Sequence, residues 1–533
     1  MTEEFTHPQL GKIKGKANKG SVQFFGIKYA TTRSRFAAAE LYEPSGDGEI
    51  DATKFGPSVA VLPQGVDMES SFIQKTLAAT KVPMSETDGL NLNITIPKLP
   101  GGSAKKLPVY VFVYGGGFFI GGNSYPSYDN KRFIELSTEI GMPIIGVVIN
   151  YRVGATGFLT SEDLRSQGFP ANNGLRDQRV AFQWVKKFIS GFGGDPENIT
   201  AIGNSAGSVS VTLQLYSETP LFNRIFCSSG TSLLIQPLPL PVHEATYNTV
   251  IKALGIMGET AKERVDALLK VPIEDILFKV PPGQPYIPAL DGEMFTFLPE
   301  HKLFSTKEGF SRMPGAKWCK EMIMGECAFD GSILFGQCGP RPNGLAASFT
   351  DYVAKILPEH PSVATSILKS YGITSEMPDD EAVVRILEFG SDIAFIGSGI
   401  SFAKGFPGAV YRYFYNEPNP WDGQWKGKAS HIMDIKALFL NYNEYLPSGQ
   451  AQTSTTMAKD AIAFINGKAP WSSYDEQNRT VKMYGPSEEE GFTAEVSEKD
   501  DKVPQRRNYL LEFENSPGWD ALSATWVAFL HGH

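Results

Sequence analysis

Short apolar runs alternate with amphipathic helical stretches between Leu90 and Tyr216, and that alternation commits the chain to a mainly parallel sheet with helices on both faces. Leu90 to Ile96 switches apolar and polar side chains with period two, which predicts a half-buried strand. Leu107 to Tyr114 (LPVYVFVY) is rich in β-branched and aromatic residues and runs into three glycines. Ile144 to Tyr151 (IIGVVINY) is continuous enough to be buried on both faces. Val180, Trp184, Val185 and Phe188 then recur at helical spacing between Gly174 and Ile189, with Gly191 and Gly193-Gly194 as stop signals. Ile199 to Ile202 is a short strand, and Gly203 to Gly207 is the turn after it.

Beyond residue 232 the texture changes. Proline-rich Gln236 to Pro241 opens a segment of helices and loops that reaches about residue 315, placed as a cap over the sheet. Strand signal returns at Trp318 to Met324 and at Ala409 to Tyr415 (AVYRYFY), with helical texture over 341–405 between them. Gly485 to Arg507 is polar and lacks periodicity, so it is expected to be a solvated loop. The simplest arrangement is one large α/β domain over residues 1–533, with cap-like helical insertions at about 236–315 and 341–405.

Composition narrows the function. With 42% hydrophobic and 20% charged residues in 533, the chain has ample material for a large interior and is not a disordered polymer. A net charge of −9 argues against a nucleic-acid binder that lives by phosphate contacts. Cys227, Cys319, Cys327 and Cys338 cannot form a disulfide scaffold, and they lack the close pairing of a metal site. No metal or other cofactor is called for. No apolar run reaches the ~18 to 20 residues of a membrane helix. The amino terminus is polar and acidic where a secretory signal has a basic start and an apolar stretch, so a cytoplasmic location is expected. The triplets beginning at Asn93, Asn198 and Asn478 are accordingly taken as chance matches to a glycosylation pattern.

Chemistry concentrates at Gly203-Asn204-Ser205-Ala206-Gly207. This G-x-S-x-G follows one predicted strand and opens a predicted helix on which Val209, Leu213 and Tyr216 share a face. Such a turn exposes a serine hydroxyl at the strand end, and the helix amino terminus aims its amides at any anion formed beside it. Gly115, Gly116 and Gly117, directly after another strand, offer further amides. The N–H groups of Gly116, Gly117 and Ala206 are the candidate oxyanion hole of an acyl transfer. A serine nucleophile needs a base, and seven histidines make elimination practical. His7, His531 and His533 lie at termini that tend to fray, His243 and His301 in the first cap segment, and His360 between two prolines. His431 remains, on a loop after a late strand. The third member is a carboxylate just past an intervening strand, where position alone leaves Glu326 and Asp330 open.

At these residues the chain resembles the type-B carboxylesterase/cholinesterase family of α/β-hydrolases over nearly its whole length. Phe25-Gly26-Ile27-Lys28-Tyr29-Ala30, the block Asn150 to Leu159, Gly174 to Gln178 and Phe192 to Pro196 are similar to blocks of that family, in order, and Ser205 falls in its G-x-S-A-G. The resemblance implies an α/β-hydrolase fold: a large, central, mostly parallel twisted sheet flanked by helices, with helical cap insertions. It implies Asp330 as the acid, five residues after Gly325 and directly before Gly331, where family members more often carry glutamate. Aspartate is one methylene shorter, so the loop or His431 must sit closer, and Glu326 stays a candidate. Ser229 matches a buried serine with a supporting role. The implied activity is serine-dependent hydrolysis of small-molecule carboxylic esters through an acyl-enzyme. An acyltransferase or lactone-forming enzyme on the same three residues is the alternative, and a non-catalytic cholinesterase-like binding protein a weaker one, because the set is intact. The chain departs from secreted members by lacking an early cysteine at Glu86 to Leu90. The residues facing the acyl and alcohol groups are expected from the cap and from loops near Phe118, Phe119, Trp421 and Trp425, while such aromatic side chains are themselves more often core.

Overall fold

The most apolar runs lie where their composition sends them, inside a 13-stranded sheet. The computed structural model describes residues 1–532 apart from 45, 47 and 100–104; His533 lies outside the described residues. Its strands are β1 (Thr2–His7), β2 (Gly11–Ala17), β3 (Ser21–Lys28), β4 (Glu49–Ala52), β5 (Asn91–Pro97), β6 (Leu107–Val113) and β7 (Ile145–Ile149). They continue with β8 (Gly194–Asn204), β9 (Arg224–Ser228), β10 (Glu321–Cys327), β11 (Ala409–Tyr415), β12 (Thr480–Tyr484) and β13 (Thr493–Ser497). The spatial order is β1-β2-β3-β5-β7-β6-β8-β9-β10-β11-β12-β13, with β4 beside β2. From β7 to β12 every neighbouring pair is parallel. That block is flanked by antiparallel β5 on one side, to which β3 pairs antiparallel in turn, and by antiparallel β13 on the other. The parallel strands therefore end on one edge, which is where residues carried just beyond them can meet.

Two expectations are corrected. β5 is not half-buried: six of its seven residues are buried, because loops cover the face that the alternation assigned to water. Its polar side chains bond to those loops instead, Asn91 to the Pro57 carbonyl and Asn93 to that of Asn123, both at 2.8 Å. The stretch 485–507 is not all solvated loop either, since it supplies the edge strand β13. Val496 and Val503 of this stretch pack there with Phe414, Val481 and Met483, two apolar anchors too far apart to register as periodicity.

The cap segments are helical. The first carries helices Leu240–Ala253, Ala261–Lys270 and Ile273–Lys279, closed by a two-stranded ribbon of Leu238–Pro239 and Ala289–Leu290. The second carries Leu345–Ile356, Pro361–Ser370, Asp379–Gly390 and Ser398–Gly405, with a π-helical turn at Ser391–Gly397. It shares a hydrophobic core with the helix Trp519–His531. No helix among the described residues is long and apolar enough to cross a membrane.

Candidate active site

Ser205 occupies the junction between β8 and the helix Ala206–Leu213. Its backbone is left-handed in φ (+54°) with ψ −124°, a conformation that a non-glycine residue holds only when its surroundings enforce it. The enforcing contacts are local. The Ser205 N–H donates to the Ser228 carbonyl at 2.8 Å, and the Ser205 carbonyl accepts the Val209 N–H at 2.9 Å. Gly207 brings the helix start against β6, since a Cβ there would sit on the Val113 carbonyl oxygen. The serine is left 6% exposed at the strand end.

Two strands away, the sheet extends by one residue pair past its regular end. Phe329 and Ser430 form an isolated parallel bridge, with the Phe329 N–H donating to the Ala429 carbonyl at 2.9 Å. The next residue on each chain is Asp330 and His431, so backbone register sets these two side chains abreast. His431 Nδ1 and Asp330 Oδ1 are 2.7 Å apart, both residues fully buried. Asp330 Oδ2 accepts the Cys327 N–H at 2.8 Å, and the Ser332 hydroxyl accepts the His431 N–H at 3.0 Å. Burial pushes the Asp330 carboxyl up from its ordinary value, and the hydrogen bond from His431 opposes that rise. Rings of Phe395 and Phe72 flank the imidazole, with centroids at 5.5 and 6.5 Å. His431 Nε2 is buried with no hydrogen-bond partner among the described residues, so the Ser205 hydroxyl is not bonded to it. Asp330 and His431 are thus in contact, and Ser205 is joined to them through its neighbours. A Cβ on Gly230 would lie 3.1 Å from the Ser205 carbonyl oxygen, while the N–H of Ser229 next door donates to the Gly325 carbonyl on β10 at 2.8 Å.

The glycine loop closes over the same point. Gly116, Gly117 and Phe118 have φ of +89°, +61° and +67° in succession. A Cβ on Gly115 would come within 2.8 Å of the Ser205 Cβ. The Gly116 carbonyl accepts the N–H groups of Phe119 and Ile120 at 2.9 and 3.1 Å, which bends the loop back on itself. The N–H groups of Gly116, Gly117 and Ala206 donate to no protein acceptor among the described residues. Of the four aromatics, Phe118 is core, fully buried against Phe158. Phe119 stands 37% exposed beside Tyr286. Trp425 packs on Phe329 and Phe335, and Trp421 on Tyr442.

Glu326 is not at the imidazole. Arg412 on β11 stands opposite Met324, and Glu326 projects from the same face two residues on, where Arg412 Nη2 donates to its Oε1 at 2.7 Å. Burial pushes the Glu326 carboxyl up to about 7, although Arg412 pulls it down. A carboxyl raised this way lends stability that is complete below its ordinary 4.5 and is lost as pH rises through about 7. Arg412→Met takes away the counter-charge. It is expected to cost about 3–5 kcal/mol in urea unfolding where Glu326 is ionised. The deficit should shrink towards acid, where Glu326 takes up a proton and needs no partner.

Other histidines also differ from their sequence setting. His7 does not fray: it is buried, with Nε2 2.8 Å from the Phe188 carbonyl oxygen. His301, beside the charged Glu300 and Lys302, is buried between the Ser401 and Ser523 hydroxyls. The residue that sequence reasoning missed is Asp434, fully buried three positions after His431 and bonded to the hydroxyls of Ser228 and Tyr413. Its partners lie on β9 and β11, so no local pattern announces it.

A model of the carboxylesterase family matches residues 3–508. The para-nitrobenzyl esterase of Bacillus subtilis (strain 168) is 33% identical over 282 residues, 52% of either chain. Lipase 4 of Diutina rugosa is 32% identical over 334 residues, 58% of this chain and 59% of that one. These two alignments therefore span little more than half of the relatives' length. Lipase 3 of Yarrowia lipolytica (strain CLIB 122 / E 150) is 28% identical over 483 residues, 87% of either chain. Among solved structures, a PNB esterase superposes with a TM-score of 0.74 at 23% identity, covering 96% of this chain and 99% of the other. At that identity the superposition establishes the fold, an α/β-hydrolase.

Proposed function

The chain belongs to the carboxylesterase family, and from that footing we propose that it hydrolyses small carboxylic esters through an acyl-enzyme on Ser205. The observation that carries the reading is the buried Asp330–His431 contact at 2.7 Å, taken together with a serine on a left-handed strand-to-helix turn at the same edge of the sheet. A histidine bonded through Nδ1 presents Nε2 as the acceptor. The Ser205 hydroxyl gives its proton to Nε2 as its oxygen attacks the ester carbonyl. The bond to the alcohol oxygen then breaks, and the imidazolium returns the proton to that leaving group. Water repeats the sequence on the acyl-enzyme and releases the acid. Asp330 holds the ring in the required tautomer and supports the imidazolium without taking its proton. The hydroxyl must still swing to Nε2, and substrate-bound enzymes commonly close such bonds only in the complex.

The N–H groups of Gly116, Gly117 and Ala206 are assigned to the oxygen that becomes negative in the tetrahedral intermediate. Donors already turned towards that charge need no reorganisation as it forms. Gly116→Ala puts a methyl on the Ile120 carbonyl oxygen and so moves the loop. Its expected cost is about 10²- to 10³-fold in kcat, read from initial rates on a p-nitrophenyl ester.

Ser205 is to be identified with a fluorophosphonate probe and mass spectrometry of the labelled peptide. Label confined to Ser205, and absent from Ser205→Ala, supports the reading. A wild-type protein that hydrolyses esters with Ser205 unlabelled sinks it.

A further inference from the structure

The buried carboxylate of Asp434 has no part in the steps above. It sits in the first turn of the helix Met433–Leu438. Four donors converge on it: the Ser228 hydroxyl at 2.8 Å, the Tyr413 hydroxyl at 2.6 Å and the more distant Ser229 hydroxyl at 3.5 Å, with the Ile435 N–H at 2.7 Å. All four are neutral. The nearest cation along the chain, Lys436, is turned instead to Glu69 and to the Ser127 hydroxyl. A fully buried carboxylate satisfied only by neutral donors carries a desolvation penalty that hydrogen bonds offset in part. Such a charge is most useful where a cation forms transiently beside it.

We propose that Asp434 is a positioning residue for ester hydrolysis, supporting the imidazolium of His431 by its charge and fixing the Ser205 turn through Ser228. The inference rests on the hydrolytic reading above. Its first half follows from crowding. Asp434 lies fully buried three residues after His431, with the Ser229 hydroxyl 3.5 Å from it, and its charge adds to the rise of the Asp330 carboxyl. When Nε2 takes the serine proton, the imidazolium is the cation this pair of carboxylates shares. The second half follows from connectivity. Ser228 is held at both ends, its hydroxyl donating to Asp434 and its carbonyl accepting the Ser205 N–H. Asn204, the residue before Ser205, donates its side-chain N–H to the same hydroxyl at 2.9 Å. One carboxylate therefore braces the acid–base pair and the nucleophile's turn together.

The groups around Asp434 leave few other candidates for a pH response. β10 contributes the Cys327 thiol and, past its end, Asp330; β11 contributes Tyr413 and Tyr415; β9 contributes Ser228 and, past its end, Ser229. Lys436 on its own helix is paired with Glu69. Burial pushes Cys327, Tyr413 and Tyr415 well above their ordinary values, so they stay neutral near pH 7.

The test is the pH dependence of p-nitrophenyl butyrate hydrolysis by the full chain. In Asp434→Asn the acid limb of kcat/KM is expected to move down by about half a pH unit or more, as a base deprived of a nearby negative charge requires. The kcat plateau should fall about tenfold or more while KM changes little. Tyr413→Phe keeps the charge and should leave the limb in place. An unmoved limb in Asp434→Asn that circular dichroism shows folded overturns the proposal, and so does an equal shift in Tyr413→Phe. Ser228→Ala tests the connection to Ser205: a lower kcat at an unmoved limb is expected. If Asp434→Asn fails to fold, Ser228→Ala decides alone, and an unchanged kcat overturns the proposal. Failure of the hydrolytic reading is seen separately, as loss of fluorophosphonate label from Ser205 in the wild-type protein.

Discussion

Ser205→Ala is expected to lower kcat by about 10⁶-fold, the scale on which serine hydrolases lose rate without their nucleophile. The structure makes this a clean substitution. Alanine at 205 keeps the N–H that donates to the Ser228 carbonyl and the carbonyl that accepts from Val209. The side chain being removed makes no hydrogen bond to His431, so its loss leaves no broken pair in the resting protein. Folding stability, followed by thermal melting, should therefore change far less than activity. Hydrolysis of a p-nitrophenyl ester by Ser205→Ala at more than about a tenth of the wild-type rate ends the assignment of Ser205 as nucleophile.

Asp330→Asn should cost about 10⁴-fold in kcat, the penalty of presenting the histidine in the wrong tautomer. Local hydrogen bonding dictates the sign. The Cys327 N–H donates to one oxygen of Asp330, so an asparagine turns its carbonyl oxygen to that donor. Its amide N–H₂ then faces His431 Nδ1, which must accept, and the ring proton moves to Nε2. A protonated Nε2 cannot receive the hydroxyl proton of Ser205. Burial of both residues keeps water from restoring the first arrangement. Steady-state kinetics measure the loss. Full activity in Asp330→Asn transfers the acid's role elsewhere, and the failure of Glu326→Gln to affect kcat would confirm that it has not passed to Glu326.

What could be read from the sequence was what lies close together in it. The turn at Ser205 and the loop at Gly116 each carry their glycines within a few positions, because backbone crossings such as Gly207 against Val113 tolerate no Cβ. The parallel strands announced themselves by apolar runs. β5 misled because loops, not water, cover its polar face. Glu326 and Asp330 could not be separated by position, because the choice depends on which side of β10 a side chain leaves. Pairing across β10 and β11 gives Glu326 to Arg412, and only the loop beyond the strand reaches His431. Asp434 was illegible for a different reason: its hydroxyl partner Ser228 is 206 positions away in sequence.

The order of these pieces along the chain has its own consequence. The turn bearing Ser205 takes its bracing contact from Ser228, close by in sequence, whereas His431 follows the serine by 226 residues (431 minus 205). On the proposed reading, a chain cut short before residue 431 keeps the serine's turn and lacks its base. Such a fragment is expected to be inert towards esters.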